Sequence, residues 1–166
     1  LLQNNSYPFF LLNKNSYQKL LSLIRKTKPI WDSEWHGISH WERVRENAEL
    51  IAQSNGGNLK VVGYFAYLHD SCRENEDEDP EHGPRAVEFA KANRHIIELD
   101  DAEFRLMCRA CSGHTFSMPG DSRVVEPTLA ACWDGDRLDL PRVGITPDPD
   151  FLFSKLGKQL ANEHAF

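Results

Sequence analysis

The stretch that decides the fold class reads LKVVGYFAYLHDSC and covers residues 59–72. It joins an apolar run to two ionisable residues, His69 and Asp70. Its β-branched and aromatic residues would also suit a buried strand, but its length exceeds the four to eight residues of most strands. Asn58 directly before it can cap a first helical turn. The stretch therefore predicts a buried helix that ends near the His-Asp pair.

The rest of the chain shows helical periodicity as well. Residues 16–27, with Ser16 as a cap, place apolar side chains at steps of three and four, and residues 39–54 do the same before the helix stop Asn55-Gly56-Gly57. Further helices are predicted over residues 85–94, 102–114 and 127–134, and from PDPD (147–150) through Leu160. No alternating strand pattern persists. We expect an all-α, compact multi-helix bundle that forms one domain over residues 1–166.

Composition narrows the function classes. The net charge of −6 argues against a nucleic-acid binder. No apolar run reaches the roughly 18 residues of a membrane span, and the start of the chain lacks signal-peptide features, so we expect a cytoplasmic protein without a membrane partner. The four cysteines suit reduced, buried thiols. Cys108 and Cys111 form a CxxC without a second ligand pair, which favours helix core over zinc.

His69 and Asp70 form the chemical focus of the sequence. An unpaired buried carboxylate is costly, so Asp70 requires either a metal cation or a hydrogen-bonded histidine, and the dipeptide alone leaves both open. His36 and His40 lie four residues apart on one helical face, and DGDRLD (134–139) adds three carboxylates after another apolar helix. Two imidazoles and two carboxylates would suit a divalent cation.

Three short motifs in a fixed order carry a family resemblance. They are HxxRV at residues 40–44, LHD at 68–70 and DRLD at 136–139. In this order the chain resembles the HD-domain superfamily of metal-dependent phosphohydrolases, and within it a small bacterial single-domain subgroup. The match covers residues 36–145. It implies an all-α HD-domain bundle.

The resemblance also implies a ligand set for one divalent ion, which would be Mn, Mg, Co, Ni, Fe or Zn. The ligands carried over are His40, His69, Asp70 and Asp136. Asp134 competes with Asp136, because two residues that lie two apart on a helix point in different directions and only one should reach the ion. The dinuclear phosphodiesterases of the superfamily carry an adjacent His-His pair that this sequence lacks, which favours a single ion; a second ion at His82 or His114 is the alternative.

The implied activity is hydrolysis of a nucleotide or another small phosphate ester. The ion would polarise the phosphate and activate water, which Asp70 would orient. His82 or His114 could protonate the leaving oxygen, although a surface or capping role is open for both. Arg43, three residues after His40, could clamp a phosphate. Arg73 and Arg137 are weaker substrate-binding candidates, because arginines are common at helix ends.

Several alternatives stay open. A di-iron oxygenase of the same fold would need extra ligands, for which His82, His95 and His114 are available. A non-catalytic sensing or interaction domain would bind metal without turnover. The acidic run 74–81 is either a solvated loop or a mobile flap over the site. Trp31, Trp35 and Trp41 could stack on a nucleobase, or could pack in the core.

Overall fold

A computed structural model of the chain describes residues 14–120 and 125–163. Within these two ranges the chain forms α-helices, short 3₁₀ helices and no β-strand, so the predicted all-α fold is confirmed. Residues 1–13 of the predicted single domain lie outside the described part. The α-helices are α1 Lys14–Thr27, α2 Ile38–Asn55, α3 Leu59–Leu68, α4 His82–Ala92, α5 Asp101–Gly113, α6 Pro127–Arg137 and α7 Lys155–Glu163.

The helix α3 forms the centre of the bundle. Every residue from Val61 to Leu68 is buried, as expected for a segment that is apolar on all sides. It packs against α2, α5 and α6, while α4 packs against α5. The helices α2 and α6 approach each other closely where Gly135 faces Ala48: a side chain at Gly135 would begin only 2.7 Å from the Ala48 Cβ atom. This approach brings one face of α2 onto the end of α6.

Helix starts and stops follow the predicted signals. The Asn58 side chain accepts hydrogen bonds from the backbone N–H groups of Lys60 and Val61 at the start of α3. At the end of α2, Gly56 adopts a left-handed conformation with φ of 82°, which glycine reaches without a steric cost. Asp100 and Glu103 form a reciprocal capping box at the start of α5. These local signals explain why the bundle can be read from the sequence.

Several predicted boundaries are wrong. Ser16 does not cap the first helix, because α1 already includes Lys14, and α4 begins at His82 and not at residue 85. The helix α3 ends at Leu68 and not at Cys72, because the chain tightens into turns in which the Arg73 N–H donates to the Asp70 carbonyl. The last helix does not begin at PDPD: Pro149–Phe151 is a short 3₁₀ helix, and α7 begins at Lys155. The extended backbone at Leu152 separates the two, and the Ser154 hydroxyl then accepts from the Gly157 N–H in the first turn of α7.

The cysteines form no disulfide bonds. All four cysteines are unpaired thiols; Cys111 lies in the core and Cys108 is half-buried beside it, as predicted for a helix-core CxxC.

Trp41 is fully buried with Trp31 against its edge, whereas Trp35 is about half exposed and is not a core residue. Among the described residues, no helix combines the length and the apolar character needed to cross a bilayer.

Candidate metal centre

Six histidine and aspartate side chains converge where the ends of five helices meet. They come from the first turn of α2, the turn after α3, the start of α4, the residue after α5 and the last turn of α6. Five of the six side chains are at most 5 % exposed, whereas that of Asp136 is 19 % exposed. The six residues are His40, His69, Asp70, His82, His114 and Asp136.

The first group contains the ligands expected from the sequence. The Nε2 atom of His40 lies 3.2 Å from the Nε2 atom of His69 and 3.4 Å from Oδ1 of Asp136. His69 Nε2 lies 3.6 Å from the same Asp136 oxygen. Oδ2 of Asp70 completes the group at 3.5 Å from His40 Nε2 and 3.7 Å from His69 Nε2. The structure thus brings together all four residues that the HD-domain resemblance implied.

A second group lies on the other side of Asp70. Its other carboxylate oxygen, Oδ1, is 3.0 Å from His82 Nε2 and 3.7 Å from His114 Nε2. The two imidazole nitrogens are 2.7 Å apart. The carboxylate of Asp70 therefore bridges the two groups, with one oxygen toward each.

The hydrogen bonds on the far side of each imidazole favour one tautomer. The Nδ1 atoms of His69 and His114 lie 2.9 and 2.7 Å from the carbonyl oxygens of Ala66 and Cys111, and His82 Nδ1 contacts the Asp79 carbonyl. A carbonyl oxygen can only accept, so the Nδ1 atoms of His69 and His114 carry a proton and donate. The Nδ1 atom of His82 also lies 3.3 Å from Arg73 Nη1, which can only donate, so its closer contact with the Asp79 carbonyl favours the same tautomer without fixing it alone. In the neutral ring this leaves an unprotonated Nε2 that points into the centre.

The same holds for His40, whose Nδ1 lies 2.7 Å from the carboxylate of Asp139. Four Nε2 lone pairs therefore face each other in two close pairs, and lone pairs at such distances repel. Each pair requires a proton or a cation between its members. Imidazole nitrogens held by outer hydrogen bonds, together with carboxylate oxygens, are the donor set of divalent metal sites. The residues present fit a metal ion in each group.

The electrostatics agree with a site that demands positive charge. Burial alone would raise the pKa of Asp70, but the surrounding imidazoles, His69 first, hold it well below its usual range. Contacts with His40 and His69 lower the pKa of Asp136 in the same way against the effect of burial. Burial would lower the pKa of His40, yet hydrogen bonds to its carboxylate neighbours raise it to about 10. Without a metal, a proton on His40 therefore partly balances the carboxylates.

The structure separates the carboxylates of the 134–139 segment. Asp134 points away from the centre and accepts hydrogen bonds from the backbone N–H groups of Phe153 and Ser154 at 2.8 and 2.7 Å. Asp136 faces His40 and His69, so it is the candidate ligand of the two. Asp139, which the sequence did not single out, contacts the outer face of His40.

The three candidate arginines occupy different places. Arg73 Nη1 lies 3.6 Å from Oδ1 of Asp70, which puts a cation on the bridging carboxylate. The guanidinium of Arg43 is bound to Asp139, at the outer face of the first group. Arg137 donates to the carbonyls of Phe151 and Ser117 and so joins two loops. Of these three, Arg73 alone contacts a candidate ligand.

The acidic loop 74–81 is attached beside the centre. Glu76 accepts from Nδ1 of His36 at 2.5 Å, and Arg73 donates to the Asp77 carbonyl at 2.6 Å. The pKa of His36 is lowered from its ordinary value, because the effect of burial exceeds the opposite effect of the hydrogen bond to Glu76. Nearly all residues of the loop are exposed, as expected for a solvated loop, and these contacts attach it beside the site.

Two cavities flank Arg73. One, of about 350 Å³, is lined by Arg73, His82, Thr115 and the exposed ring of Phe116. The larger, of about 920 Å³, lies between the chain around Ile30, the loop after Asp70 and Phe89 of α4. A bound molecule in either cavity would contact the guanidinium that touches the bridging carboxylate.

The sequence identified His82 and His114 as proton donors, and missed both their pairing and Asp139. His82 begins α4 and His114 follows α5, so no shared spacing in the chain connects them. Asp139 could have been found from its spacing in the sequence. It follows Asp136 by three residues, and Arg43 follows His40 by three residues, so the two pairs can face each other across neighbouring helices. His95, the remaining histidine considered as a ligand, is exposed and lies outside both groups.

Fold and site together define an all-helical domain with a buried His/Asp centre suited to divalent cations. A scan of family models finds no match, and no curated protein matches significantly. Among solved structures, a protein described as a predicted HD superfamily hydrolase from an uncultured Thermotogales bacterium matches with a TM-score of 0.67. It is 24% identical, and the match covers 88% of this chain and 83% of the other. The chain has the HD-domain fold.

Proposed function

We propose that this protein is a metal-dependent phosphohydrolase that acts on a small phosphate ester, nucleotides included, with one cation in each group and Asp70 between them. The observation that carries the proposal is the convergence of four imidazole Nε2 atoms and two carboxylates. The HD-domain fold supports it, since a structure with this fold is described as a hydrolase.

The charge of the centre indicates the substrate class. Two divalent cations would carry twice the charge of the two carboxylates, Asp70 and Asp136, so the loaded site attracts an anion. Bound cations would supply Lewis acidity, which polarises a phosphate oxygen and makes a water molecule more acidic. A small ester fits better than a polymer, because only the Asp136 side chain is noticeably exposed.

Protein side chains would bind and orient the ester. Arg73 lies at the bridging carboxylate and borders both cavities, which suits it to bind a phosphate oxygen. Phe116 and Thr115 line the cavity beside His82, where the group esterified to the phosphate would lie. Asp70 directs one carboxylate oxygen at each group and would so hold the two cations in fixed positions relative to each other.

The number of ions decides the role of the second histidine pair. The sequence favoured one ion, in which case His82 and His114 would share a proton across their 2.7 Å separation and could pass it to the leaving oxygen. With two ions both histidines are ligands, and the proton comes from solvent in the adjoining cavity. We favour two ions, because the six side chains form two donor groups and Asp70 directs one carboxylate oxygen at each of them.

A turnover screen tests the proposal. Purified protein is loaded separately with Mn²⁺, Mg²⁺, Co²⁺, Ni²⁺, Zn²⁺ or Fe²⁺ and assayed against nucleoside mono-, di- and triphosphates and a generic phosphodiester. We expect hydrolysis of at least one substrate, and we expect Asp70→Ala to lose both metal and activity. Asp134→Asn, a buried carboxylate on the same side of the fold that faces away, should keep both. An Asp70→Ala protein as active as wild type would refute the proposal.

One observation also supports a second candidate function. A di-iron oxygenase of this fold needs ligands beyond the HD motif, and His82 and His114 supply them. Elemental analysis separates the two: about two irons per chain with oxygen-dependent substrate oxidation favours the oxygenase, and phosphate release under anaerobic conditions favours the hydrolase.

A further inference from the structure

The outer hydrogen bond of His40 differs from those of the other three histidines. His69, His82 and His114 each have a backbone carbonyl three residues earlier in the chain as the acceptor for Nδ1. His40 donates to a side chain, the carboxylate of Asp139. A carboxylate acceptor makes an imidazole a more basic ligand than a carbonyl does, but a side chain must itself be held in position.

Arg43 holds that carboxylate. Its Nε donates to Oδ1 of Asp139 at 2.6 Å and its Nη2 donates to Oδ2 at 3.0 Å, a bidentate pair that fixes the plane of the carboxylate. The backbone of Asp139 is fixed as well: its carbonyl accepts from Arg142 at 3.0 Å and its N–H donates to the Asp136 carbonyl. The Asp139 side chain is only 10 % exposed.

The four residues form two facing rows. His40 and Arg43 are three apart on α2, and Asp136 and Asp139 are three apart across the end of α6. The inner contact is His40 with Asp136 at 3.4 Å, and the outer contact is Arg43 with Asp139. Oδ2 of Asp139 joins the rows because it accepts from both His40 and Arg43.

We infer that Asp139 and Arg43 are positioning residues for the metal ligand His40, and that Arg43 reaches the reaction through this chain of contacts and not by binding phosphate. The kinetic part of this inference rests on the proposed function, whereas the metal-binding part does not. Asp139 fixes the tautomer of His40 and directs its Nε2 into the first group. Arg43 keeps Asp139 in the plane in which it can do so.

Metal affinity tests the role of Asp139. Co²⁺ binding to the metal-free full chain is measured by equilibrium dialysis for wild type, Asp139→Asn and Asp134→Asn. Loss of an outer-sphere partner weakens metal binding by about 10- to 100-fold, and we expect this for Asp139→Asn. Asp134→Asn changes an equally buried carboxylate that faces Phe153 and Ser154, so it should stay within about twofold of wild type. An Asp139→Asn affinity within twofold of wild type would overturn the inference.

Substitution of Arg43 supplies a second test that holds even if Asp139→Asn fails to fold. Arg43 is on the surface side of the pair, with a side chain that is 44 % exposed, so Arg43→Met should fold. We expect weaker Co²⁺ binding, a lower kcat and an unchanged KM, with Arg43→Lys intermediate because an ammonium group cannot make the bidentate contact. A raised KM with unchanged metal affinity would overturn the positioning role and restore the phosphate clamp predicted from the sequence.

The two proposals fail separately in these measurements. A wild-type protein that binds Co²⁺ but hydrolyses no phosphate ester refutes the proposed function, while the dialysis of the Asp139 and Arg43 variants still decides the positioning role. Conversely, an active wild type with an unaffected Asp139→Asn protein retains the function and rejects the inference.

Discussion

The two groups around Asp70 differ in how the fold supports them. The group of His40, His69 and Asp136 depends on residues distant in the chain, and a carboxylate–arginine pair holds one of its imidazoles. The imidazoles of the group of His82 and His114 depend on backbone carbonyls three residues earlier in the chain, Asp79 in the loop before α4 and Cys111 in the last turn of α5. Long-range contacts thus build the first group, whereas local backbone geometry orients the imidazoles of the second.

This difference explains which part of the site the sequence reveals. Side chains that must meet across the fold leave motifs with fixed spacing, such as HxxR and DRLD. An imidazole whose partner is a backbone carbonyl leaves no such pattern, because a carbonyl is present at every position. The motifs therefore reveal the first group, although His69 also has a backbone carbonyl as its outer partner. His82 and His114 can be named as candidates from the sequence, but their pairing becomes visible only in three dimensions.

The largest expected effect is from His114→Gln, which separates a ligand from a proton donor. If His114 is a ligand, the variant loses one bound ion per chain. The transition state then loses several kcal/mol of stabilisation, so the rate falls on the order of 10³-fold. Elemental analysis and initial rates measure both effects. If His114 instead shares a proton with His82, metal content stays the same, while the rate falls and the pH–rate profile changes.

A change far from any ligand tests how strongly the first group depends on helix packing. Gly135→Ala adds a methyl group that would lie 2.7 Å from the Ala48 Cβ atom, where α2 and α6 approach each other closely. Overpacking of this kind costs about 1–3 kcal/mol of unfolding free energy, and here it also moves Asp136 away from His40. Chemical denaturation and Co²⁺ affinity report the two consequences.

Gly120→Ala is the matched control for this change. A side chain at Gly120 would meet nothing within 4 Å, so stability and metal affinity should both stay near wild type. If Gly135→Ala were equally silent, the close approach of α2 and α6 would not be what holds the first group together.

The helical fold itself was predictable because its signals are local. Apolar periodicity, the Asn58 and Asp100 caps and the Gly56 stop all act within a few residues. The start of α7 was not, since Pro149 and Asp150 resemble a helix start until the tertiary contact of Asp134 with Phe153 and Ser154 decides otherwise. The bridging role of Asp70 was equally hidden, because it needs two groups that the chain brings together from opposite sides.

The smallest expected effect is on the free energy of unfolding at acidic pH. Burial would raise the pKa of Glu103, but contacts with Asn58, Asp100 and Lys60 lower it below its ordinary value of 4.5. Its contribution to stability is therefore complete above pH 4.5 and is lost as the pH falls through the lower pKa of the folded state. Glu103→Gln should cost about 1 kcal/mol at pH 7 and less at pH 3, as measured by denaturant titration.

Glu88→Gln serves as the control for the loss of stability at acidic pH. Glu88 is an exposed residue that pairs only with Lys91 one turn away, an interaction of small free energy. Its substitution should leave the pH dependence unchanged. A Glu103→Gln profile parallel to that of wild type from pH 7 to pH 3 would remove Glu103 from the acid response.

The central claim is that Asp70 bridges two cation-binding groups, and metal stoichiometry tests it most directly. Metal-free protein is saturated with Mn²⁺, dialysed, and analysed for metal per chain alongside Asp70→Ala. The account predicts about two ions per wild-type chain and none retained by the variant. One ion or fewer in wild type, or an Asp70→Ala chain that retains the wild-type amount, would contradict it.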